Sequence, residues 1–431
     1  MEQNLNRQLL DFLDASPTCY HAVDNLAKEL QAGGFERLME HDGWGLIPGG
    51  KYFVVRGGSS IIAFRIPHAA PRGFMLAAAH SDSPTYKVRE QAEVPSAGGC
   101  VRLAVEPYGG MIARSWMDRP LSVAGRLVVR RDGRLATQLV DIDRDLCVIP
   151  SVAIHLGREV NRGVELKANV DMLPLLGCGE SVRLRALLAQ SSGVAEEDIL
   201  STELFLYPRT RGTVLGAEEE LVASGRLDDL QSVFGCLKGF LAAEEGESIP
   251  VLAVFNNEEV GSGSRQGADS TFLADVLERV SAALDVDHRA LVAGSFMVSA
   301  DNAHAIHPAH PELSDAAEHP VLNGGIVIKY NANQKYTTDG VSAAVFREVC
   351  RAAGVPVQRY SNRADLPGGS TLGNISSAHL SVPSVDIGLP QLAMHSCYET
   401  AGVQDAIWME EALTAFYSTS LEVKNGNYIL K

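Results

Sequence analysis

Four short apolar runs, each followed by His, Asp or Glu, constrain the fold of this chain more than any other feature. The runs and the residues that follow them are 74–79 before His80, 251–255 before Glu258 and Glu259, 296–299 before Asp301, and 382–387 before His395. Apolar runs of this length between turn signals are typical of buried strands. We therefore expect a sheet that other elements cover.

Segments with apolar residues at helical spacing lie around these runs. They are residues 4–13, 230–243, 272–284 and 343–353, and Ser16-Pro17 predicts the cap and first residue of a further helix that runs to about Gln31. Strands that alternate with helices indicate an α/β fold in which helix layers cover the sheet.

The stretch 93–212 has a different character, because it is β-rich and has few helical runs. Segments 101–105, 121–129, 135–140 and 182–188 resemble short strands, and turn residues such as Arg131-Asp132-Gly133 separate them. A chain of 431 residues is also too long for one ordinary core. We predict one α/β domain formed by residues 1–92 and 213–431, with a second, β-rich domain of residues 93–212 inserted into it.

The formal charge of −16 limits the possible partners. Nucleic acids and anionic membrane surfaces attract clusters of Lys and Arg, and the basic residues here are scattered, so we expect neither as a partner. No apolar run approaches the roughly 20 residues that span a bilayer, and the first ten residues lack the pattern of a signal peptide. We expect a cytoplasmic protein.

The seven cysteines are widely spaced and include no C-x-x-C pair, which predicts reduced thiols rather than a disulfide framework or a cysteine zinc site. Any metal ion would therefore be bound by His and carboxylate side chains. In open α/β sheets, ligands bind beyond the carboxyl ends of strands, which is where the four apolar runs place such residues.

Taken singly, each of these residues has an ordinary explanation, such as a solvated histidine at a strand end or an aspartate that caps a helix. Together, His80, Asp228, Glu259, Asp301 and His395 match the set that two zinc ions require, with one bridging carboxylate and a His and a carboxylate at each end. Asp228 is the candidate bridge, with His80 and Asp301 on one ion and Glu259 and His395 on the other. Which ion each terminal residue serves stays open.

Two further carboxylates have predicted roles off the metal ions. In extended backbone, residues two apart face the same way, so Asp82 can accept the imidazole N–H of His80 that the metal does not use. Glu258 and Glu259 are adjacent and cannot point identically, so one can bind a metal while the other stays free as a general base. With Glu259 taken as the ligand, Glu258 is the candidate base. It would take a proton from a water between the ions, whose pKa the zinc lowers, as that water attacks a peptide carbonyl.

The sequence resembles the aspartyl aminopeptidase family of metallopeptidases, peptidase family M18, including its bacterial members. The matching segments are Ala79-His80-Ser81-Asp82-Ser83-Pro84, Arg226-Leu227-Asp228-Asp229-Leu230, Asn257-Glu258-Glu259-Val260-Gly261-Ser262, Ser299-Ala300-Asp301-Asn302-Ala303-His304 and Leu392-Ala393-Met394-His395-Ser396. They span most of the chain. Asn256 departs from the pattern, because many relatives have an acidic residue before Asn-Glu-Glu, but this position touches only the surroundings of the base.

The resemblance implies a phosphorylase/hydrolase-like α/β/α catalytic domain, an inserted dimerisation domain, and zinc-dependent release of N-terminal residues from peptides, with acidic residues preferred. It implies a homo-oligomer, namely a dodecamer built from dimers. It also implies that His155 reaches the active site of a neighbouring subunit and that Lys329 receives the acidic side chain of the substrate. From the pattern alone, His155 is an ordinary strand histidine, whereas for Lys329 a surface lysine at a strand end and a substrate-binding lysine are equal alternatives.

Two other functions stay open on the residues alone. A two-zinc carboxypeptidase or N-acyl amino-acid deacylase can use similar ligands, although the sequence contains no recognisable arginine pocket for a C-terminal carboxylate. A non-catalytic oligomeric relative would keep the fold, although the presence of Glu258 with all five ligands argues against it.

Overall fold

The computed structural model describes residues 2–179, 181–366, 368–425 and 427–431. Within them the α-helices are α1 (Glu2–Asp14), α2 (Cys19–Ala32), α3 (Leu184–Ser192), α4 (Leu227–Ala242), α5 (Phe272–Ala283), α6 (His288–Ala293), α7 (Gly340–Ala353), α8 (Leu372–Ser376) and α9 (Val403–Ser418). The strands are β1 (Glu36–Leu38), β2 (Lys51–Arg56), β3 (Ser60–Arg65), β4 (Phe74–His80), β5 (Thr85–Ser96), β6 (Cys100–Tyr108), β7 (Leu121–Arg131), β8 (Arg134–Asp141), β9 (Leu175–Cys178), β10 (Ile199–Pro208), β11 (Thr213–Leu215), β12 (Leu221–Ser224), β13 (Ile249–Phe255), β14 (Phe296–Ala300), β15 (Ala303–His304), β16 (Ile326–Tyr330), β17 (Val357–Ser361), β18 (Ser384–Gly388), β19 (Pro390–Leu392), β20 (Glu399–Gly402), β21 (Leu421–Lys424) and β22 (Asn427–Leu430).

The largest sheet in the described part of the chain has nine strands, in the order β1-β2-β3-β13-β4-β14-β18-β16-β17. Its central neighbours β13, β4, β14 and β18 run parallel to one another. Every residue of these four strands is buried, as expected for strands that are covered on both faces. The buried strands that the four apolar runs predicted are therefore confirmed.

Alternate residues of these strands face two separate hydrophobic cores. In β4, Met75 and Ala77 pack with residues of α1, α2, α4, α7 and α9, whereas Phe74 and Leu76 pack with residues of α5, α6 and α8. Residues two apart in a strand face the same way, so each face of the sheet needs its own helix layer. Each fully buried Leu or Phe side chain stabilises such a layer by about 1.5–3 kcal/mol. The predicted α/β/α sandwich is confirmed.

A second sheet is antiparallel and has the strand order β8-β7-β10-β5-β6-β9 among the described residues. One of its faces packs with α3 in a third core. Its strands run from Thr85 to Pro208, so β5 begins before residue 93. A separate inserted domain with limits 93 and 212 stays a prediction.

Residues 182–188 do not form a strand, so that prediction is wrong; the helix α3 covers Leu184–Ser192. The alternation of Val182, Arg183 and Leu184 imitates the period of a strand. The buried side chains, however, are Leu184 and Leu188, which are four residues apart and therefore lie on one face of a helix.

The start of α2 also differs from the prediction. The helix begins at Cys19 with Thr18 as its N-cap residue, instead of at Pro17. The hydroxyl oxygen of Ser16 accepts a hydrogen bond from Asn25 Nδ2 at 3.1 Å and so has a different partner. The other predicted helices correspond to α1, α4, α5 and α7. No helix in the described residues combines the length and apolar character that a membrane crossing needs.

Candidate metal centre

Three parallel strands bring polar side chains to one edge of the nine-stranded sheet. His80 is the last residue of β4, Asp301 follows β14 directly, and Glu258 and Glu259 form a single 3₁₀ turn after β13. Asn257 begins this turn in the left-handed conformation, with φ 63°, which Asn tolerates better than most residues. Because the three strands are parallel neighbours, their carboxyl ends lie side by side.

Two further side chains reach this edge from elsewhere. Asp228 lies in the first turn of α4, and the peptide bond between Asp228 and Asp229 is cis. His395 lies in the loop between β19 and β20 and adopts the left-handed conformation, with φ 66°. That conformation costs a residue other than glycine about 1–3 kcal/mol, and it persists only where the surroundings impose it.

Asp228 lies at the centre of the cluster. Its Oδ1 is 3.4 Å from Nε2 of His80, and its Oδ2 is 3.4 Å from Nε2 of His395. The same nitrogen of His395 is 3.5 Å from Oε2 of Glu259. These distances are longer than those of good hydrogen bonds, so the side chains surround a space instead of closing on one another. One carboxylate thus faces two imidazoles, one from each of its oxygens.

Candidate ligand atoms form three groups among the described residues, and within each group all atoms lie within 4.8 Å of one another. One group joins His80 to Glu258 and Glu259, and the other two share Asp228. The inner half consists of His80, Asp228, Asp229 and Asp301, and the outer half consists of Asp228, Glu259 and His395. The names reflect exposure, because the side chain of His80 is 1% exposed and that of His395 is 34% exposed. The structure therefore brings all five predicted ligands together.

His80 is oriented from behind by Asp82. Its Nδ1 is 3.0 Å from the main-chain oxygen of Asp82 and 3.5 Å from the carboxylate of the same residue. A carbonyl oxygen only accepts, so Nδ1 carries the hydrogen and Nε2 presents its lone pair to the cluster. The sequence pointed to the carboxylate as the acceptor, whereas the main-chain oxygen is the closer partner.

The carboxylate of Asp82 instead holds the turn that carries the two glutamates. It accepts hydrogen bonds from the main-chain N–H groups of Glu258 and Glu259, both at 3.2 Å, and from the hydroxyl of Tyr108 at 2.7 Å. Tyr108 in turn accepts a hydrogen bond from Asn257 Nδ2 at 2.9 Å. Asp82 thus joins the end of β4 to the turn that follows β13.

The buried carboxylates of the cluster disfavour one another's ionisation. Burial and the neighbouring carboxylates raise the pKa of Glu258 to about 7 and that of Glu259 well above its usual value. Burial opposes the ionisation of Asp228 as well, but the imidazoles of His395 and His80 hold its pKa below the usual value. Carboxylates that raise one another's pKa are stabilised as anions by a cation between them.

The donor atoms fit zinc. Three buried carboxylate oxygens of the cluster have no hydrogen-bond partner among the described residues, namely Asp228 Oδ1, Asp229 Oδ1 and Glu259 Oε1. A buried polar atom without a partner costs about 1–3 kcal/mol. Imidazole nitrogen and carboxylate oxygen are both zinc ligands, so the unpartnered oxygens and the lone pair of His80 are suited to binding such ions.

Glu399 in β20 was not recognised from the sequence, yet it supports both halves. It is 1% exposed, and it accepts hydrogen bonds from the main-chain N–H groups of Asp228 at 3.0 Å and His395 at 2.8 Å. Burial raises its pKa to about 8. Its position four residues after His395 is the one sequence signal that could have identified it. Tyr108 carries no such signal.

Lys329 is buried, so the interpretation as a surface lysine is wrong. Its Nζ donates to the main-chain oxygen of Asn302 at 3.0 Å and lies 3.7 Å from a carboxylate oxygen of Asp301. Burial disfavours the charge, but Asp301 and further anionic groups outweigh this effect and raise the pKa of Lys329. Lys329 therefore supplies a positive charge beside the inner half.

His155 is not part of any of the three groups. It lies in an exposed turn between β8 and β9, so the interpretation as a strand histidine is wrong. A hydrogen bond from Leu156 N to Ala153 O, at 2.8 Å, closes that turn. Contact of His155 with a neighbouring subunit stays a prediction.

Comparison with known proteins connects the site to a family. The model of a family described as Aminopeptidase I zinc metalloprotease (M18) matches residues 12–417. A protein of Clostridium novyi (strain NT), named probable M18 family aminopeptidase 2, is 42% identical over 424 residues, which cover 95% of this chain and 98% of that protein.

Solved structures show the same similarity in three dimensions. A chain in the cryo-EM structure of the Ape4 and Nbr1 complex has a TM-score of 0.92 and 36% identity, covering 97% of this chain and 86% of that chain. The S. cerevisiae mApe1 dodecamer has a TM-score of 0.86 and 27% identity, covering 96% of each chain. The similarity therefore extends over both large sheets.

Proposed function

The chain belongs to the M18 family of zinc metallo-aminopeptidases, and on this premise we propose that it uses two zinc ions to remove acidic N-terminal residues from peptides. The enzyme class follows from the family, whereas the metal count, the general base and the acidic preference are the proposal. The observation that carries it is the position of Asp228, which faces His80 with one carboxylate oxygen and His395 with the other.

In the proposed site, each half holds one zinc ion. His80 and Asp301 would hold the inner ion, Glu259 and His395 would hold the outer ion, and Asp228 would be shared between them. The division is supported by the two groups of ligand atoms that share Asp228 and by the lack of hydrogen-bond partners for Asp228 Oδ1 and Glu259 Oε1. When bound, two zinc ions lower the pKa of a water molecule and draw electrons from the scissile carbonyl.

Glu258 is the proposed general base. It lies in the same turn as Glu259, and burial raises its pKa above that of an ordinary glutamate, which makes the carboxylate a better proton acceptor. It takes the proton of the attacking water and donates it to the nitrogen of the departing peptide. Asp82 fixes the main chain of this turn through its hydrogen bonds to the N–H groups of both glutamates.

Lys329 is the proposed source of the acidic preference. A substrate carboxylate that enters a site lined with Asp and Glu requires a cation, and Lys329 lies 3.7 Å from Asp301. If Asp301 held a zinc ion, its charge would be shared with the metal, and the ammonium group of Lys329 would be available to the substrate. The free amine of the peptide would be received by acidic groups of the cluster.

The proposal includes a homo-oligomer, a dodecamer built from dimers. It is supported by the 27% identity with a protein whose solved structure is a dodecamer. The turn around His155 exposes Val152, Ile154 and Leu156, by 60%, 47% and 84%, and a neighbouring subunit would cover such apolar surface. His155 would then lie at the contact with that subunit. Peptide substrates and a cytoplasmic location belong to the same proposal.

Zinc titration of the metal-free protein tests the proposed reaction. Hydrolysis of the p-nitroanilides of Asp, Glu and Leu should rise until two zinc ions are bound per subunit, with Asp or Glu faster than Leu. Full activity with one ion would contradict the two-zinc mechanism. Faster hydrolysis of Leu-p-nitroanilide than of the Asp and Glu substrates would exclude Lys329 as the source of an acidic preference. Cleavage of N-acetylated peptides would instead favour a carboxypeptidase or a deacylase.

The base is tested by Glu258→Gln, which keeps the shape of the side chain but cannot accept the proton. We expect kcat to fall by about 10²–10⁴-fold, with both zinc ions retained in metal analysis. Glu278→Gln, at an exposed position of α5, is the matched control and should keep full activity. A Glu258→Gln protein with both ions and full activity would rule out Glu258 as the base.

A further inference from the structure

Two cysteines face each other across neighbouring strands of the second sheet. Cys100 is the first residue of β6, Cys178 is the last residue of β9, and the antiparallel register pairs them directly. Their sulfur atoms are 2.6 Å apart, which is only about 0.5 Å longer than a disulfide bond of ~2.05 Å. A hydrogen bond from Gly179 N to Gly99 O, at 2.9 Å, continues the pairing beyond them.

The backbone already has the spacing that a disulfide needs. Directly opposed residues in an antiparallel pair have Cα atoms about 4.5–5.5 Å apart, and disulfides join Cα atoms about 4.4–6.8 Å apart. Only a small rotation of the two side chains is therefore required. The sequence predicted reduced thiols because these cysteines are widely separated along the chain, and their proximity arises from the pairing of β6 with β9.

Accessibility distinguishes this pair from the other cysteines. The remaining five cysteines, Cys19, Cys147, Cys236, Cys350 and Cys397, are all buried. Cys178 is exposed and Cys100 is partly exposed, so a reagent in solution can reach this pair. Thiols that are accessible and lie beside a second thiol are the ones that small oxidants convert to disulfides.

We propose that Cys100 and Cys178 form a modification site, a reversible disulfide that is made by exchange with a low-molecular-weight disulfide such as oxidised glutathione. The thiolate of Cys178, the more exposed residue, attacks one sulfur of the small disulfide and releases one small thiol. Cys100 then attacks the Cys178 sulfur of the mixed disulfide and releases the second small thiol. Two electrons and two protons thus pass to the two small thiols, and reduction reverses both steps.

The bond would act on the segment between β8 and β9. The strand β9 is short, lies at the edge of its sheet beside β6, and is bridged at Leu175 to Val148 of the preceding segment. It directly follows the segment 142–174, which exposes Val152 and Leu156. A hydrogen bond from Arg102 Nη1 to Val170 O attaches this segment to β6. A covalent bond at Cys178 would hold this end of the segment on β6.

The direct test counts thiols. Full-length protein is incubated with oxidised glutathione, the reagent is removed, and free thiols are titrated in denaturant. We expect the count to fall from seven to five, peptide mapping to join Cys100 to Cys178, and dithiothreitol to restore seven. Seven unreacted thiols, or a stable glutathione adduct on Cys178 with Cys100 still free, would overturn the proposal.

Cysteine variants distinguish formation of this disulfide from oxidation at other cysteines. Cys178→Ser and Cys100→Ser should form no intramolecular disulfide, whereas Cys350→Ala, which removes a buried cysteine, should still lose two thiols, from six to four. Hydrogen exchange in residues 142–178 should slow several-fold on oxidation of the natural chain and stay unchanged in Cys178→Ser. An equal change in Cys178→Ser would show that another reaction is responsible. Because none of these readouts uses catalysis, the result is independent of the proposed function.

Discussion

The inner and outer halves of the metal centre share Asp228 but hold their histidines in different ways. His80 ends a central strand of the nine-stranded sheet, and its side chain is 1% exposed. His395 lies in a loop, has a left-handed backbone, and its side chain is 34% exposed. The same type of side chain is thus fixed by a sheet in one half and by a loop in the other, so the two proposed metal positions should differ in affinity and exchange.

The contacts of the two histidines explain this difference. The main chain of His80 donates to the carboxylate of Asp229 at 3.2 Å, and its ring donates to Asp82. The main chain of His395 donates to Glu399, and its carbonyl accepts a hydrogen bond from Ile112 N at 3.0 Å. Ile112 follows β6 of the second sheet, so the outer half also depends on contact between the two sheet regions.

Removal of Asp228 should abolish metal binding in both halves, because this side chain belongs to both. We expect Asp228→Ala to lose both zinc ions and to lower kcat/KM by more than about 10⁴-fold, or ~5.5 kcal/mol. Metal analysis after gel filtration, together with Asp-p-nitroanilide hydrolysis, measures both effects. Asp11→Ala, at an exposed position of α1, is the control and should leave both quantities unchanged. Retention of one tightly bound ion in Asp228→Ala would show that the halves bind independently.

Removal of one histidine should separate the halves. His395→Ala should keep the inner zinc ion, lose the outer one and reduce kcat/KM by about 10²–10³-fold, since a zinc ion contributes several kcal/mol to the transition state. His80→Ala should lower the affinity for the inner ion instead. In the natural chain a chelator should remove zinc in two phases, and His395→Ala should lack the fast one. Equal loss of both ions from each variant would show that the inner and outer halves do not differ in metal affinity.

The inner half was the easier one to predict from the sequence. His80 and Asp301 follow apolar runs directly, and parallel strands place such residues side by side. The structure bears out this proximity, together with the α/β/α sandwich around it. The zinc-dependent aminopeptidase class was predicted through the resemblance to a family, which the comparisons confirm.

The supporting contacts were harder to predict because they join distant parts of the chain. Glu399 contacts Asp228 across 171 positions, and Tyr108 reaches Asp82 from the second sheet. Local sequence patterns do not predict such contacts. A local pattern can also mislead, as in 182–188, where an alternation over a few residues concealed the helical spacing of the buried leucines.

Glu399→Gln should weaken the outer half without breaking it. The amide keeps an oxygen that can accept from one of the two N–H groups, but the other loses its acceptor. We expect the affinity for one zinc ion to fall by about 10–100-fold, as for other groups that orient metal ligands, with a smaller loss for the second ion. Competition with a zinc-binding dye measures this, and Glu411→Gln, at an exposed position of α9, is the control. An equal fall in the affinity for both ions would show that Glu399 acts only through Asp228.

Lys329→Met should give the smallest effect and should act on the inner half. Methionine retains the apolar stem but removes the cation that lies 3.7 Å from Asp301. Zinc at Asp301 replaces the lost charge, so we expect both ions to stay bound. The ratio of kcat/KM for Asp-p-nitroanilide to that for Leu-p-nitroanilide should nevertheless fall about tenfold, or ~1.4 kcal/mol, because the substrate carboxylate loses its partner. Lys335→Met, which removes a lysine that donates to Gly368 O, should keep the ratio. An unchanged ratio in Lys329→Met, with the metal content intact, would mean that Lys329 serves Asp301 and Asn302 as a structural cation and that another group reads the acidic side chain.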